Sequence, residues 1–227
     1  MAKYMIHAMP KRMWYVENYL IPSMVEQGIE EENISIYNDK KGEGNLRAWI
    51  NSTKMLPDDG GTWHLQDDVI ISHDFKEKTE ELDDGIICGF TSKYDDGRVS
   101  GWGRVKKMWW SFLCIRVPNK IMKEAATWGD DFIIGNPVYR EYWEGGVNDD
   151  WVFRQYVFEH YPNMQALNLE PNIADHIDFL IGGTVNSGTN RKVIIRSLLW
   201  KDEYLVKALE EKLQRDNLLE YRERRLK

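Results

Sequence analysis

Apolar and polar residues follow two periods in the first 70 residues of the chain, and these periods predict three strands separated by two helices. Short apolar runs typical of strands occupy residues 3–8, 34–37 and 62–65. Between them, residues 13–27 and 46–55 carry apolar side chains at helical spacing. Strands and helices that alternate in this way favour parallel strands in a Rossmann-like α/β sheet.

The second half of the chain has a less regular pattern. Residues 85–90 and 111–117 are predicted strands, and residues 120–128 and 149–160 are predicted helices. The polar segment 171–184 is expected to be irregular.

The last segment, residues 202–225, is predicted to be a charged helix. Its leucines Leu205, Leu209 and Leu213 form one apolar stripe at helical spacing. The basic residues in its last turn favour a helix that ends in solvent, because positive charge offsets the dipole at the carboxyl end.

The composition is that of an ordinary globular protein, with 42% hydrophobic and 30% charged residues among 227. A formal net charge of −7 argues against a surface that binds nucleic acid along its whole extent. Two distant cysteines predict neither a disulfide framework nor a zinc site. The sequence lacks a secretory leader pattern and any run of about 18 apolar residues, so we expect a cytoplasmic protein without a membrane span.

Acidic side chains follow two of the predicted strands. Asp39 comes after the second strand, and Asp67 and Asp68 come after the third. Since ligands bind at the carboxyl ends of parallel strands, we expect these carboxylates at a ligand site. Two adjacent carboxylates repel each other unless a cation screens them, and Mg²⁺ or Mn²⁺ with phosphate oxygens meets that need. The glycine-rich dinucleotide fingerprint is absent after the first strand, so an NAD-type site is not expected.

The order and spacing of these motifs resemble those of the GT-A glycosyltransferases over roughly residues 3–185. The segment Leu-Gln-Asp-Asp-Val at 65–69 is similar to their DxD-type motif, which chelates the metal bound to the donor diphosphate. Gln66 stands where the family usually has an acidic residue. Pro-Lys-Arg at 10–12 is similar to the segment that follows the family's first strand. Ile-Tyr-Asn-Asp at 36–39 is similar to its second strand, whose terminal Asp contacts the nucleotide base.

Two later segments extend the resemblance. Asn-Asp-Asp-Trp-Val-Phe at 148–153 is similar to an acidic pair at a helix start, which supplies the catalytic base in inverting members. The resemblance therefore implies Asp150 as the base, with Asp149 second. Pro-Asn-Ile-Ala-Asp-His at 171–176 is similar to a late segment in which some members place a histidine on the metal or the diphosphate.

The resemblance implies a single GT-A-like catalytic domain with a mostly parallel central sheet, flanking helices and a C-terminal helix. Residues 1–75 would form the nucleotide-sugar-binding half, 76–200 the acceptor-binding half and 201–227 the charged C-terminal helix. The implied reaction transfers a sugar from a nucleotide-diphosphate sugar, most commonly a UDP-sugar in the family, to a hydroxyl acceptor, with inversion. The acceptor stays open among a glycan, a protein and a modified DNA base.

The implied site has two ligands for Mn²⁺ or Mg²⁺ and a set of donor-binding residues. The metal ligands are Asp68 and His176. The donor-binding residues are Pro10, Arg12, Asp39, Asp67 and Arg191, the last of which follows a Gly-rich stretch and could neutralise phosphate charge. The cation would act as a Lewis acid on the leaving diphosphate, and an oxocarbenium-like transition state is expected.

Two other classes of protein fit parts of the sequence. A metal-dependent phosphoesterase could use the acidic and histidine side chains that are close in sequence, namely His64, Asp67, Asp68, His73 and Asp74. A non-catalytic module could instead hold glycan or nucleic acid on loop aromatics. The loop aromatics in question include Trp102, Trp109 and Trp110.

Overall fold

The main sheet of the protein is mostly parallel and has helices on both faces. The computed structural model describes residues 3–82, 84–90, 112–135, 149–164, 166–182 and 200–218. The described strands are β1 (Lys3–Ala8), β2 (Ile34–Asn38), β3 (Gly61–Gln66), β4 (Val69–Ile71), β5 (Ile86–Cys88), β6 (Cys114–Pro118), β7 (Ala166–Asn168) and β8 (Ala174–His176). The described α-helices are α1 (Met13–Tyr15), α2 (Ile21–Glu26), α3 (Asn45–Ser52), α4 (Phe75–Glu81), α5 (Asn119–Gly135), α6 (Asp149–His160), α7 (Asp178–Ile181) and α8 (Glu203–Arg215).

Six strands form the main sheet, in the order β2-β1-β3-β6-β5-β7. Within the described chain, all of them run in one direction except β6, which is antiparallel to both of its neighbours. The strands β4 and β8 form a separate antiparallel pair. The three strands β5, β6 and β7 come from the predicted acceptor-binding half, so the two predicted halves share one sheet.

Alternating side chains on the strands fill two hydrophobic cores, one on each face of the sheet. From β1, Tyr4 and Ile6 enter the first core, whereas Met5 enters the second. The first core also takes apolar residues of α2, α4 and α8, and the second takes those of α3, α5 and α6. Helices on both faces bury the strands on both sides, as expected for a parallel sheet.

The predicted alternation of strands and helices in the first 70 residues is confirmed, with differences at the helices. The segment 13–27 is helical but contains one π-helical turn, Val16–Leu20, between α1 and α2. Pro22 is the second residue of α2 and lies directly after this π-helical turn, inside the continuous helical segment. Helix α3 begins at Asn45, one residue before the predicted start, and Gly44 at φ 86° directly precedes it.

Other boundaries differ more. The prediction that 171–184 is irregular is wrong for β8 and α7. The helix predicted at 120–128 continues to Gly135, and the predicted strand 111–117 begins at Cys114. The helix predicted at 202–225 is α8, which ends earlier, at Arg215, and residues 219–227 lie outside the described part of the chain. Its buried residues are Val206, Leu209 and Leu213, so Val206 takes the place predicted for Leu205.

The sheet order creates a switch point between β1 and β3. The chain leaves β1 for β2 on one side and returns to β3 on the other side of β1. In open α/β sheets, ligands bind in the crevice outside the carboxyl ends of strands at such a reversal. Among the described helices, none has the length and apolarity needed to cross a bilayer.

Candidate functional site

Arg12 holds the two acidic residues that follow β3. A 3₁₀ turn, Pro10–Arg12, follows β1 and brings the guanidinium to the switch point. Its Nη1 donates to Asp67 Oδ1 at 2.6 Å and to Asp68 Oδ2 at 2.7 Å. The backbone N–H of Met9 donates to the other oxygen of Asp67 at 2.7 Å. The acidic pair and the end of β1 thus form one buried ionic cluster.

His176 joins the same cluster from the far end of the chain. It is the last residue of β8, which pairs with β4 directly after the acidic pair. His176 Nε2 lies 3.0 Å from Asp68 Oδ2, and the N–H of Ile177 donates to the carbonyl of Asp68 at 2.8 Å. The sequence assigned Asp68 and His176 to one site, and the structure brings these two side chains into contact across 108 positions of sequence.

The charges of this cluster depend on one another. Burial alone would raise the pKa of Asp68, but the charges of His176 and Arg12 on the same oxygen hold it well below its usual range. Burial works against a charged His176, yet Asp68 raises the pKa of this imidazole above its ordinary value. Burial raises the pKa of Asp67 to about 6, because desolvation outweighs the attraction of Arg12.

Two polar atoms of the cluster are buried and make neither a hydrogen bond nor an ion pair to any described residue: Arg12 Nη2 and Asp68 Oδ1. Buried polar atoms of this kind point to a missing partner such as an ion or a ligand. A carboxylate oxygen and an imidazole suit a divalent cation, and a free guanidinium N–H suits a phosphate oxygen. The residues present therefore fit a metal ion together with a diphosphate.

Sequence reasoning missed three residues that hold this cluster in place. The carbonyl of Gly182 accepts a bond from Arg12 Nε at 2.9 Å, and Asp178 Oδ1 lies 3.5 Å from His176 Nδ1. The buried hydroxyl of Tyr15 donates to the carbonyl of Val69 at 2.8 Å. The Asp-His-Ile-Asp run itself was a signal, because carboxylates close to a candidate histidine ligand often orient it.

Asp39 lies at the carboxyl end of β2, as the sequence predicted, but its carboxylate is engaged. It accepts bonds from the N–H groups of Glu43 at 3.0 Å and Gly44 at 3.2 Å. These bonds shape the loop between β2 and α3, and Asp39 is buried there. The predicted contact with a nucleotide base stays a prediction, and a base would share Asp39 with this loop.

Asp149 and Asp150 form the first turn of α6, whose bounds 149–160 agree with the prediction. Phe153, one turn later, packs on Phe112 with ring centroids 5.2 Å apart, and Phe112 adjoins the start of β6, which pairs with the end of β3. The beginning of α6 therefore lies toward the edge where β3 ends. Burial raises the pKa of Asp149 to about 6, and its Oδ1 accepts a bond from the N–H of Asp150 at 3.0 Å.

Several predicted contributors lie outside the described residues. They are Arg191, in the segment 183–199, and the loop aromatics Trp102, Trp109 and Trp110, in the segment 91–111. Pro10 is described and exposed, and it begins the turn that carries Arg12.

The five residues of the phosphoesterase hypothesis are divided among three places. His64 Nδ1 lies 3.0 Å from Nε2 of His7 on the neighbouring strand. Asp67 and Asp68 contact Arg12 in the buried cluster. His73 and Asp74 instead lie beside Asp202, the residue that directly precedes α8. A single metal site built from all five residues is therefore absent from the described structure.

No model of a known protein family matches the sequence, and no curated protein matches it either.

Proposed function

We propose that the protein is a metal-dependent glycosyltransferase of the GT-A type, which moves a sugar from a nucleotide-diphosphate donor to a hydroxyl acceptor. One observation carries the proposal. Arg12, Asp68 and His176 converge at the switch point of a mostly parallel sheet, and Arg12 and Asp68 each keep a buried polar atom without a partner among the described residues. A diphosphate with a divalent cation supplies the matching acceptors and the matching charge.

The residues of the cluster have distinct parts in this reaction. Asp68 and His176 would hold the cation, with Asp67 beside them. When bound, the cation would offset the negative charge that develops on the leaving diphosphate. Arg12 is already ionised and would donate its free N–H to a phosphate oxygen, while its other N–H groups keep Asp67 and Asp68 in place.

The acceptor hydroxyl needs a proton acceptor, which the proposal assigns to the first turn of α6. Asp150 remains the predicted base and Asp149 the second candidate. The raised pKa of Asp149, about 6, supports this turn as the source of the base, because a general base works best when its pKa is near the working pH.

Arg12 also determines how the cation binds. The guanidinium already compensates both carboxylates, so a cation alone gains little at the cluster. A diphosphate adds negative charge and restores the attraction. We therefore expect the cation and the donor to bind together, and each to bind weakly alone.

A thermal-shift panel tests the proposal. The full chain is heated with each of several nucleotide sugars in the presence of Mn²⁺, Mg²⁺ or a chelator. A ligand present at 100 times its Kd stabilises the folded state by about 2.7 kcal/mol, which corresponds to roughly 5–10 °C for a chain of this size. We expect such a shift with one donor, and only with metal.

Two variants test whether the metal-dependent rise in melting temperature depends on the buried cluster of Arg12, Asp67, Asp68 and His176. Asp68→Asn should abolish the metal-dependent shift, whereas Asp131→Asn, the same change at an exposed position of α5, should keep it. The proposal fails if no donor shifts the melting temperature of a folded sample, or if Asp68→Asn behaves like the parent.

A further inference from the structure

A second group of metal-ligating side chains lies away from the Asp67–Asp68 cluster, where the C-terminal helix meets the loop after β4. His73 and Asp74 lie in this loop, and Asp202 directly precedes α8. One ligand atom from each of the three residues lies within 4.8 Å of the other two. The fold thus brings together residues 129 positions apart in the sequence.

The distances between His73 and Asp202 are close to those around a small metal ion, and the ligand atom of Asp74 lies within 4.8 Å of both. His73 Nδ1 lies 3.1 Å and 3.0 Å from the two carboxylate oxygens of Asp202. In a tetrahedral site with metal–ligand distances of about 2.0–2.1 Å, neighbouring ligand atoms are about 3.3 Å apart. A shift of a few tenths of an ångström would therefore admit a metal ion between His73 and Asp202.

The group carries an excess of negative charge. The side chain of Asp202 is 8% exposed, and its ion-pair partner among the described residues is His73, which is positive only when protonated. Asp74 adds a second carboxylate, and Glu77 on α4 adds to the negative field around the imidazole. Asp202 Oδ2 also accepts a bond from the backbone N–H of His73 at 3.2 Å, but this neutral donor leaves the negative charge in place, and a bound cation would neutralise it.

We propose that His73, Asp74 and Asp202 form a Zn²⁺ site that fastens α8 to the loop between β4 and α4. One imidazole nitrogen and two carboxylate oxygens are ligands that Zn²⁺ accepts, and water can complete the coordination because the side chain of His73 is 63% exposed. The site is separate from the proposed donor site and requires no nucleotide sugar. Zn²⁺ that binds the folded chain stabilises it by mass action.

The test uses the full chain after removal of metal with a chelator. Titration with ZnCl₂ in a calorimeter should give one site per chain at this group, and CoCl₂ should give a visible absorption spectrum that Zn²⁺ displaces. His73→Gln and Asp74→Asn remove one ligand each at exposed or half-buried positions, so both variants should fold. Each should weaken Zn²⁺ binding by about tenfold or more.

Two controls separate this site from the proposed donor site. Asp131→Asn should bind Zn²⁺ like the parent, and Asp68→Asn should keep the titration that His73→Gln loses. The proposal is overturned if the parent chain binds no Zn²⁺ or if His73→Gln leaves the affinity unchanged. The proposal would also be overturned if Asp68→Asn lost Zn²⁺ binding while His73→Gln kept it, because the ion would then lie at the acidic pair.

Discussion

Replacing Arg12 with methionine should destabilise the protein by about 3 kcal/mol at pH 7.5. The side chains of Arg12, Asp67 and Asp68 are each 5–6% exposed, so the change leaves two buried carboxylates without their cation. Removing one partner of a buried ion pair typically costs about 3–5 kcal/mol. The lower end applies to Arg12 because methionine keeps the packing of the aliphatic stem and because Asp67 can take up a proton.

Urea unfolding of the parent and Arg12→Met at pH 7.5 measures this cost. A loss of about 3 kcal/mol raises the unfolding equilibrium constant roughly 150-fold. The loss should shrink as the pH falls toward 5.5. Without Arg12 the folded-state pKa of Asp67 rises further above its unfolded value. A carboxyl group with a raised folded-state pKa destabilises the fold at a pH above that pKa, where it is ionised. This cost disappears as the pH falls through that pKa and the group takes up a proton.

A second substitution completes the cycle. In the double variant Arg12→Met/Asp67→Asn, one buried charge is gone, so part of the lost stability should return. Asp67→Asn in the parent should not stabilise, because it removes an acceptor for Arg12 and for the N–H of Met9. A cost below about 1 kcal/mol for Arg12→Met, or no recovery in the double variant, would refute the claim that Arg12 compensates two buried charges.

Four further predictions concern single substitutions. Asp150→Asn should lower turnover while the donor Kd stays unchanged, as measured by initial rates and calorimetry; weaker donor binding would contradict its assignment as the base. Tyr15→Phe should cost about 1 kcal/mol in urea unfolding through the lost bond to the carbonyl after the acidic pair. Asp39→Ala should speed amide exchange in residues 40–44, because two backbone N–H groups lose their acceptor. Burial lowers the pKa of His7 to about 4, so the contribution of His7 to stability should be present above pH 6.5 and smaller by about 2 kcal/mol at pH 5; urea unfolding should show the stability difference between the parent and His7→Gln shift by that amount between pH 7 and pH 5.

The alternation of short apolar runs and helical periods was enough to predict the parallel core of the fold. Residues of β1 and β3 are buried on both faces and bounded by turn-forming sequence, so their positions could be predicted closely. β8 was missed because its three residues, Ala-Asp-His, carry no apolar alternation. Their extended conformation comes from pairing with β4, and such long-range pairing leaves no local signal.

The candidate site was predictable in its residue types and less so in its contacts. A resemblance in motif order was enough to place Asp68 and His176 together, although a strand pairing that the pattern does not show brings them into contact. The same resemblance made Arg12 a donor contact, whereas the structure also gives it the acidic pair as partners. The contact between His73 and Asp202 depends on where α8 packs against the sheet. The predicted stripe of leucines indicates which face of the helix is buried but not where that face packs.

The position of β6 between β3 and β5 also governs the order in which the chain can fold. During synthesis, β1, β2 and β3 emerge first, but β3 obtains its second neighbour only when residues 114–118 have left the ribosome. Until then one side of β3 is an open strand edge with unpaired N–H and C=O groups, which invites pairing with other chains. A fragment that ends at residue 75 should therefore aggregate, although it contains Arg12 and the whole acidic pair.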